Sequence, residues 1–269
     1  TPESVYKLLR VLIVLNPIVF SLIVYITGFD NFKQAFGDSV IYIGIAKNWL
    51  NNNSHLVPLE RLPVYPVFIF LIFKFFGIDN LNALLFIQGL IGSFTLYLLL
   101  KILDLIKMSK NLFVLLTVFF NLSIIFWFSV FLPNCFFIFL LTIFIFCFTK
   151  FYVDKNRKYF FLMCFFLILL LLTRPIFTLS IFFVLPIISI IVFKSQFKNS
   201  FKALMVICLF ASYFSGITLQ SLRYYSHNKS FNYTTQTGEH LLYYVIPCLT
   251  QKYGCGQPNL KTLNILKDN

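Results

Sequence analysis

Long apolar runs recur along this chain, and most are close to the roughly 20 residues that an α-helix needs to cross a hydrocarbon core. They cover residues 8–28, 81–103, 112–132, 135–151, 159–173, 176–193 and 201–222, with a shorter run at 63–77. Hydrophobic residues make up 59% of the chain, charged residues 12%, and Phe alone 37 of 269 positions. A soluble core could not hide that much apolar surface. Helices satisfy their backbone hydrogen bonds internally, which lipid demands. The pattern predicts an all-α polytopic membrane protein with about seven transmembrane helices.

The net charge of +13 does not point to nucleic acid. Most of the lysines sit in short links between apolar runs: Lys101, Lys107 and Lys110; Lys150, Lys155 and Lys158 with Arg157; Lys194, Lys198 and Lys202. By the positive-inside rule these links face the cytoplasm, as does the N-terminal end with Lys7 and Arg10. The assignment requires 63–77 to dip into the membrane and return, because a full span there would invert every later link. Its apolar core is short for a span, and it carries Lys74.

The first run is too long for a signal-peptide core, contains Asn16-Pro17 and lacks a small-residue cleavage site, so it reads as a retained helix. Residues 1–222 form the expected transmembrane module, with a first external loop at 29–79. Residues 223–269 are read as an extracytoplasmic tail. The chain starts with Thr and ends in a polar tail, so the tail is read as the truncated start of a C-terminal region.

The longest polar interruption before the tail is Gly37 to Pro66. Residues 38–51 predict a short amphipathic helix. Ile41, Ile45 and Trp49 recur on one face, and Asp38, Tyr42 and Ala46 form the neighbouring row. Such a helix would lie on the membrane, with Trp49 at headgroup level.

Nine acids are available. The expected topology leaves Asp30, Asp38, Glu60, Asp79 and Glu239 outside. Asp38 stands at the start of the surface helix, where capping and the helix dipole favour a carboxylate. It reads either as a simple cap or as a general base. Three of the five arginines, Arg61, Arg174 and Arg223, fall on the same outer side, against the usual bias. Arg binds phosphate in a bidentate way that Lys cannot reproduce. They read either as a phosphate pocket or as interfacial side chains at helix ends. His55, His227 and His240 show no metal-ligand spacing. Cys135, Cys147, Cys164 and Cys208 lie in apolar runs and read as inert. Cys248 and Cys255 could pair in an oxidising compartment or stay free. No nucleotide-binding loop, nucleophile elbow or zinc motif is present.

The run Gly37-Asp38, Tyr42, Ala46-Lys47-Asn48, then Arg61-Leu62-Pro63-Val64-Tyr65-Pro66 and Phe76-Gly77, resembles the GT-C superfamily of integral-membrane glycosyltransferases. It is most similar to bacterial aminoarabinose, mannosyl and lipopolysaccharide-core transferases. Gln88-Gly89, Leu172-Thr173-Arg174-Pro175, Arg223 and Thr237-Gly238-Glu239 also look like family features. The resemblance spans roughly residues 8–245. It implies a seven-helix core and transfer of a sugar from a polyprenyl-phosphate carrier to an acceptor outside the cytoplasm of a bacterial inner membrane.

Under that resemblance Asp38 is the base that deprotonates the acceptor, and Arg61, Arg174 or Arg223 neutralises the departing phosphate. Tyr42, Glu60, Tyr65 and Glu239 join the substrate site. The second external turn reads Leu132-Pro133-Asn134-Cys135, where many members carry an acid. A metal bridged between the loops is therefore disfavoured, and no cofactor is expected. A transporter or flippase of a lipid-linked saccharide is the alternative. It should show inverted repeats or paired broken helices, and neither is visible in the sequence.

Overall fold

The computed structural model describes residues 2–27, 37–51 and 61–228. Among them the chain is helical, with no strand. The helices are α1 (Pro2–Ile26), α2 (Gly37–Leu50), α3 (Val64–Phe76), α4 (Leu81–Leu105), α5 (Leu112–Phe119), α6 (Leu122–Ser129), α7 (Pro133–Asp154), α8 (Arg157–Leu171), α9 (Ile176–Phe193) and α10 (Asn199–Asn228). The chain divides into two units, one of Thr1–Pro58 with Leu62–Thr218 and one of Leu59–Arg61 with Leu219–Asn269.

Local chemistry sets most of the helix boundaries. The side chains of Asn80, Asn111 and Asn156 accept from Ala83 N–H, Val114 N–H and Lys158 N–H, at 3.0, 3.3 and 3.0 Å. Each serves an orphan donor of the helix that follows. Pro133 opens α7 at a position where its missing N–H costs nothing. Gly77 ends α3 at φ 100°, a conformation only glycine adopts without strain.

Four helical segments are long and apolar enough to cross a membrane: Glu3–Ile26, Leu81–Leu105, Pro133–Asp154 and Asn199–Ser226. Phe75, Phe113 and Phe183 are 77%, 78% and 75% exposed, beside many other exposed aliphatic residues. A soluble monomer does not bare apolar surface on that scale, whereas lipid-facing helices must. The fold is thus that of a helical membrane protein. The 13-residue α3 is about 20 Å long. That is well short of a hydrocarbon core of about 30 Å, in line with a segment that only dips in. By the same measure the 15-residue α8, at about 22 Å, is short as well.

Three expectations are corrected. The run 112–132 is not one helix. It breaks at Phe120-Asn121 into α5 and α6, where the Asn121 N–H donates to Val118 O at 3.4 Å, an i−3 turn rather than a continued helix. Asn is a poor helix former that competes for backbone groups. Second, α10 does not stop near residue 222 but runs to Asn228, so Arg223 is a helical residue. Third, the buried stripe of α2 is Ser39, Tyr42, Ile43 and Ala46, with Ile45 beside it, while Ile41 and Trp49 are only half-buried. The helix packs on α3, and the Trp49 ring meets Phe70 edge-on at 6.3 Å.

Within the first unit, α1 and α4 run antiparallel. Arg10 pairs with Asp104 at one end, and Ser21, Leu22 and Tyr25 meet Asn82, Leu85 and Phe86 at the other. Between these ends the helices touch at Gly89 and Gly92. A Cβ on Gly92 would stand 2.8 Å from Pro17 Cβ and 2.8 Å from Phe128 Cγ. Small residues allow this approach, as is common where lipid leaves packing as the main attraction. Three cores follow. Ile13, Leu96, Leu100 and Leu115 join α1, α4 and α5. Tyr42, Tyr65, Ile69, Phe73, Leu85 and Phe131 join α2, α3, α4 and the start of α7. Phe144, Phe151, Met163, Leu167, Leu185 and Leu209 join α7 to α10.

Candidate functional site

The N-terminal ends of α2, α3 and α7 and the α8–α9 turn converge in the first unit. On α2, Asp38 lies exposed in the first turn, and Ser39 and Tyr42 follow on the buried stripe. The helix begins at Gly37, so Asp38 is inside its first turn rather than ahead of it. Tyr65, in the first turn of α3, is wholly buried. The Tyr42 ring meets it edge-on, with centroids 5.4 Å apart at 80°. Phe68 stacks on Tyr65 at 6.0 Å and touches Phe136 of α7 at 4.8 Å.

The Val64 N–H, an orphan donor at the start of α3, donates to Leu172 O at 3.4 Å, which ties α3 to the α8–α9 turn. That turn is firm. Thr173 Oγ1 donates to Leu169 O at 2.6 Å, and Arg174 N–H donates to Leu170 O at 3.3 Å. Arg174 is half-buried there. Burial pushes its guanidinium below the usual value, and the nearby Tyr42 and Asp38 pull it the other way. It remains a cation at any physiological pH, one that is stripped of water and attracted to whatever negative charge stands near it.

Behind these residues lies a polar seam that the sequence reading did not resolve. Gln88 of α4 is fully buried, and its Nε2 donates to Val130 O at 3.1 Å and to Cys135 Sγ at 2.8 Å. Cys135 Sγ in turn donates to Leu132 O at 3.2 Å. The Tyr65 ring lies close to the same thiol. Ser39 Oγ, Gln88 Oε1 and Asn134 Oδ1 are buried with no hydrogen-bond partner among the described residues. A buried unmet polar group costs about 1–3 kcal/mol, so three in one region mark a place where a hydroxyl or water could be taken up. Polar residues inside apolar runs are the sequence signal for them. At Asn134 the reading noted only the missing acid.

Four of the expected site residues therefore come together: Asp38, Tyr42, Tyr65 and Arg174. Arg61 and Arg223 belong to the second unit, where Arg223 Nη1 donates to Arg61 O at 2.8 Å and to Gln220 Oε1 at 3.3 Å. In that contact Arg61 supplies its backbone carbonyl. Glu60, Glu239 and the pair Cys248 and Cys255 lie outside the described residues.

Four described carboxylates are in ion pairs: Glu3 with Lys7, Asp104 with Arg10, Asp154 with Lys150, and Asp79 with Lys47. Asp38 is the described acid whose charge acts on Arg174. Among the described residues, no three His, Cys, Asp or Glu side chains form a metal-binding group. Two grooves run along the α1–α4 seam, and neither is lined by Asp38 or Arg174. No protein-family model, curated protein or solved structure matches this chain.

Proposed function

We infer that the chain is a membrane glycosyltransferase of the GT-C type. It moves a sugar from a polyprenyl-phosphate carrier to an extracytoplasmic acceptor, across a seven-span bundle in a bacterial inner membrane. Asp38 is the general base. It accepts the proton of the acceptor hydroxyl as the oxygen attacks the anomeric carbon, and the bond from that carbon to the carrier phosphate breaks. Arg174 holds the phosphate oxygens as their charge develops. A fixed cation at a low-dielectric boundary stabilises that charge more than water does. Tyr42 and Tyr65 shape the wall, and the unmet oxygens of Ser39, Gln88 and Asn134 accept sugar hydroxyls. The resemblance also assigns Arg61, Arg223, Glu60 and Glu239 to substrate binding.

The observation that carries the proposal is that the α8–α9 turn with the half-buried Arg174 is tied to α3 by the Val64 N–H to Leu172 O bond, close enough for Asp38 of α2 to act on Arg174 electrostatically. Asp38→Asn tests it, with the protein in liposomes and a radiolabelled polyprenyl-phosphate sugar. Transfer should fall by at least about 100-fold, the lower range for a positioned base, while carrier binding persists. Unchanged glycan product would refute the base assignment.

One observation favours a second reading. The α5–α6 break interrupts an apolar run, and interrupted helices line the sites of transporters. A flippase of lipid-linked saccharide would keep at least part of its flux in Asp38→Asn and would form no glycosidic bond.

A further inference from the structure

At the end of the α1–α4 seam opposite the Asn82 contact, a groove of about 330 Å³ opens on the outer surface of the two helices. Its walls are apolar: Val11, Val14 and Leu15 of α1, with Tyr97 and Leu100 of α4. Its rim carries two cations, Arg10 and Lys101. Both are held. Arg10 makes a two-pronged pair with Asp104 at 2.8 and 2.6 Å. Lys101 Nζ lies 5.5 Å from the centre of the Tyr97 ring and also faces Asp104. Two bases around one acid leave the rim with one net positive charge.

We propose that this groove binds an anionic phospholipid of the cytoplasmic leaflet, its phosphate at Arg10 and Lys101 and an acyl chain along Val11, Val14 and Leu100. Charge complementarity selects the occupant. A zwitterionic lipid brings its own cation to a rim that is already positive, whereas a phosphatidylglycerol brings net negative charge. The apolar trough suits a hydrocarbon chain and not a hydrated solute. The Arg10–Asp104 pair preorganises the rim, because an Arg bound through two of its nitrogens keeps further N–H donors for a phosphate oxygen. Basic pockets between helices on the cytoplasmic side suit anionic head groups in this way. The inference rests on the membrane location and is independent of any glycosyl transfer.

The test is native mass spectrometry of the full chain, released from detergent after exchange into equal amounts of phosphatidylglycerol and phosphatidylcholine. The wild type should retain phosphatidylglycerol preferentially. Lys101→Gln should cut that preference about fivefold, which is about 1 kcal/mol for one basic residue, and Lys101→Arg should restore it. Lys150→Gln, at a cation outside the groove, should leave it unchanged. Because Lys101→Gln could disturb folding, its melting in detergent is read alongside, and Val14→Trp, which fills the trough and leaves both cations, should lower retention of either lipid. Equal retention of the two lipids by the wild type, a preference untouched by Lys101→Gln, or a retention untouched by Val14→Trp would each overturn the proposal.

Discussion

Arg174 shows how one side chain can be both costly and useful. Burial lowers its proton affinity, so its charged form is less stable there than in water and gains from any anion brought alongside. A phosphate would satisfy it through two oxygens at once. Arg174→Lys keeps the charge and loses that geometry, so transfer should drop about 10-fold. Arg174→Gln should drop it about 100-fold or more, the scale for removing one preorganised donor. Both are read in kcat/KM with a lipid-linked donor, and equal rates for Lys, Gln and wild type would remove Arg174 from the site. Gln88 is a second residue-scale case. Gln88→Leu removes one of the two hydrogen bonds to the buried Val130 O, which keeps the Leu132 N–H at 2.8 Å, so it should cost about 0.5–1.5 kcal/mol. A lower melting temperature in detergent is the expected readout. An unchanged one would mean that the Gln88 bond contributes nothing net.

Between elements, the closest approach is α1 against α4. Gly92→Ala places a methyl group 2.8 Å from Pro17 Cβ and Phe128 Cγ, which are core atoms with little room to move. Overpacking of this kind costs about 1–3 kcal/mol. Gly44 of α2 is the control, since a Cβ there meets nothing within 4 Å. Gly44→Ala should be neutral or stabilising, by up to about 1 kcal/mol, from the helix preference alone. Thermal unfolding of the two variants in one detergent decides it, and the seam is loose if both behave alike. The same scale explains α2. Ile41, Tyr42, Ile43, Ile45 and Ala46 are all apolar, so hydrophobicity hardly distinguishes one face from another. Packing on α3 selected Tyr42 and Ala46 over the Ile41–Trp49 face that the spacing suggested.

For the whole molecule, the ion pairs sort along the chain in the way the proposed topology requires. Arg10–Asp104 and Lys150–Asp154 fall at ends assigned to the cytoplasm, and Lys47–Asp79 at an end assigned to the outside. Single cysteines at Lys107, Lys155 and Lys198 should therefore react with a membrane-impermeant maleimide only after the cells are opened. Cysteines at Asn51 and Asp79 should react in intact cells. Labelling of Lys155→Cys in intact cells would mean that α3 spans, and that every link after it is inverted.

The helical membrane class and the polar interruption that begins at Gly37 were legible in the residues themselves, because propensity and burial in lipid act over a few positions at a time. The break at Asn121 was not, since an eight-residue apolar helix and half of a longer one have the same composition. Nor was the company each arginine keeps. Asp38 comes within electrostatic reach of Arg174 where the Val64 N–H to Leu172 O bond ties the α8–α9 turn to α3, while Arg223 is carried into a different unit on an extended α10. In a chain where lipid-facing and core-facing surfaces are equally apolar, hydrophobic pattern says that a helix forms but not what it faces. That choice falls to close packing, small residues and a few buried hydrogen bonds, which exist only once the helices are assembled.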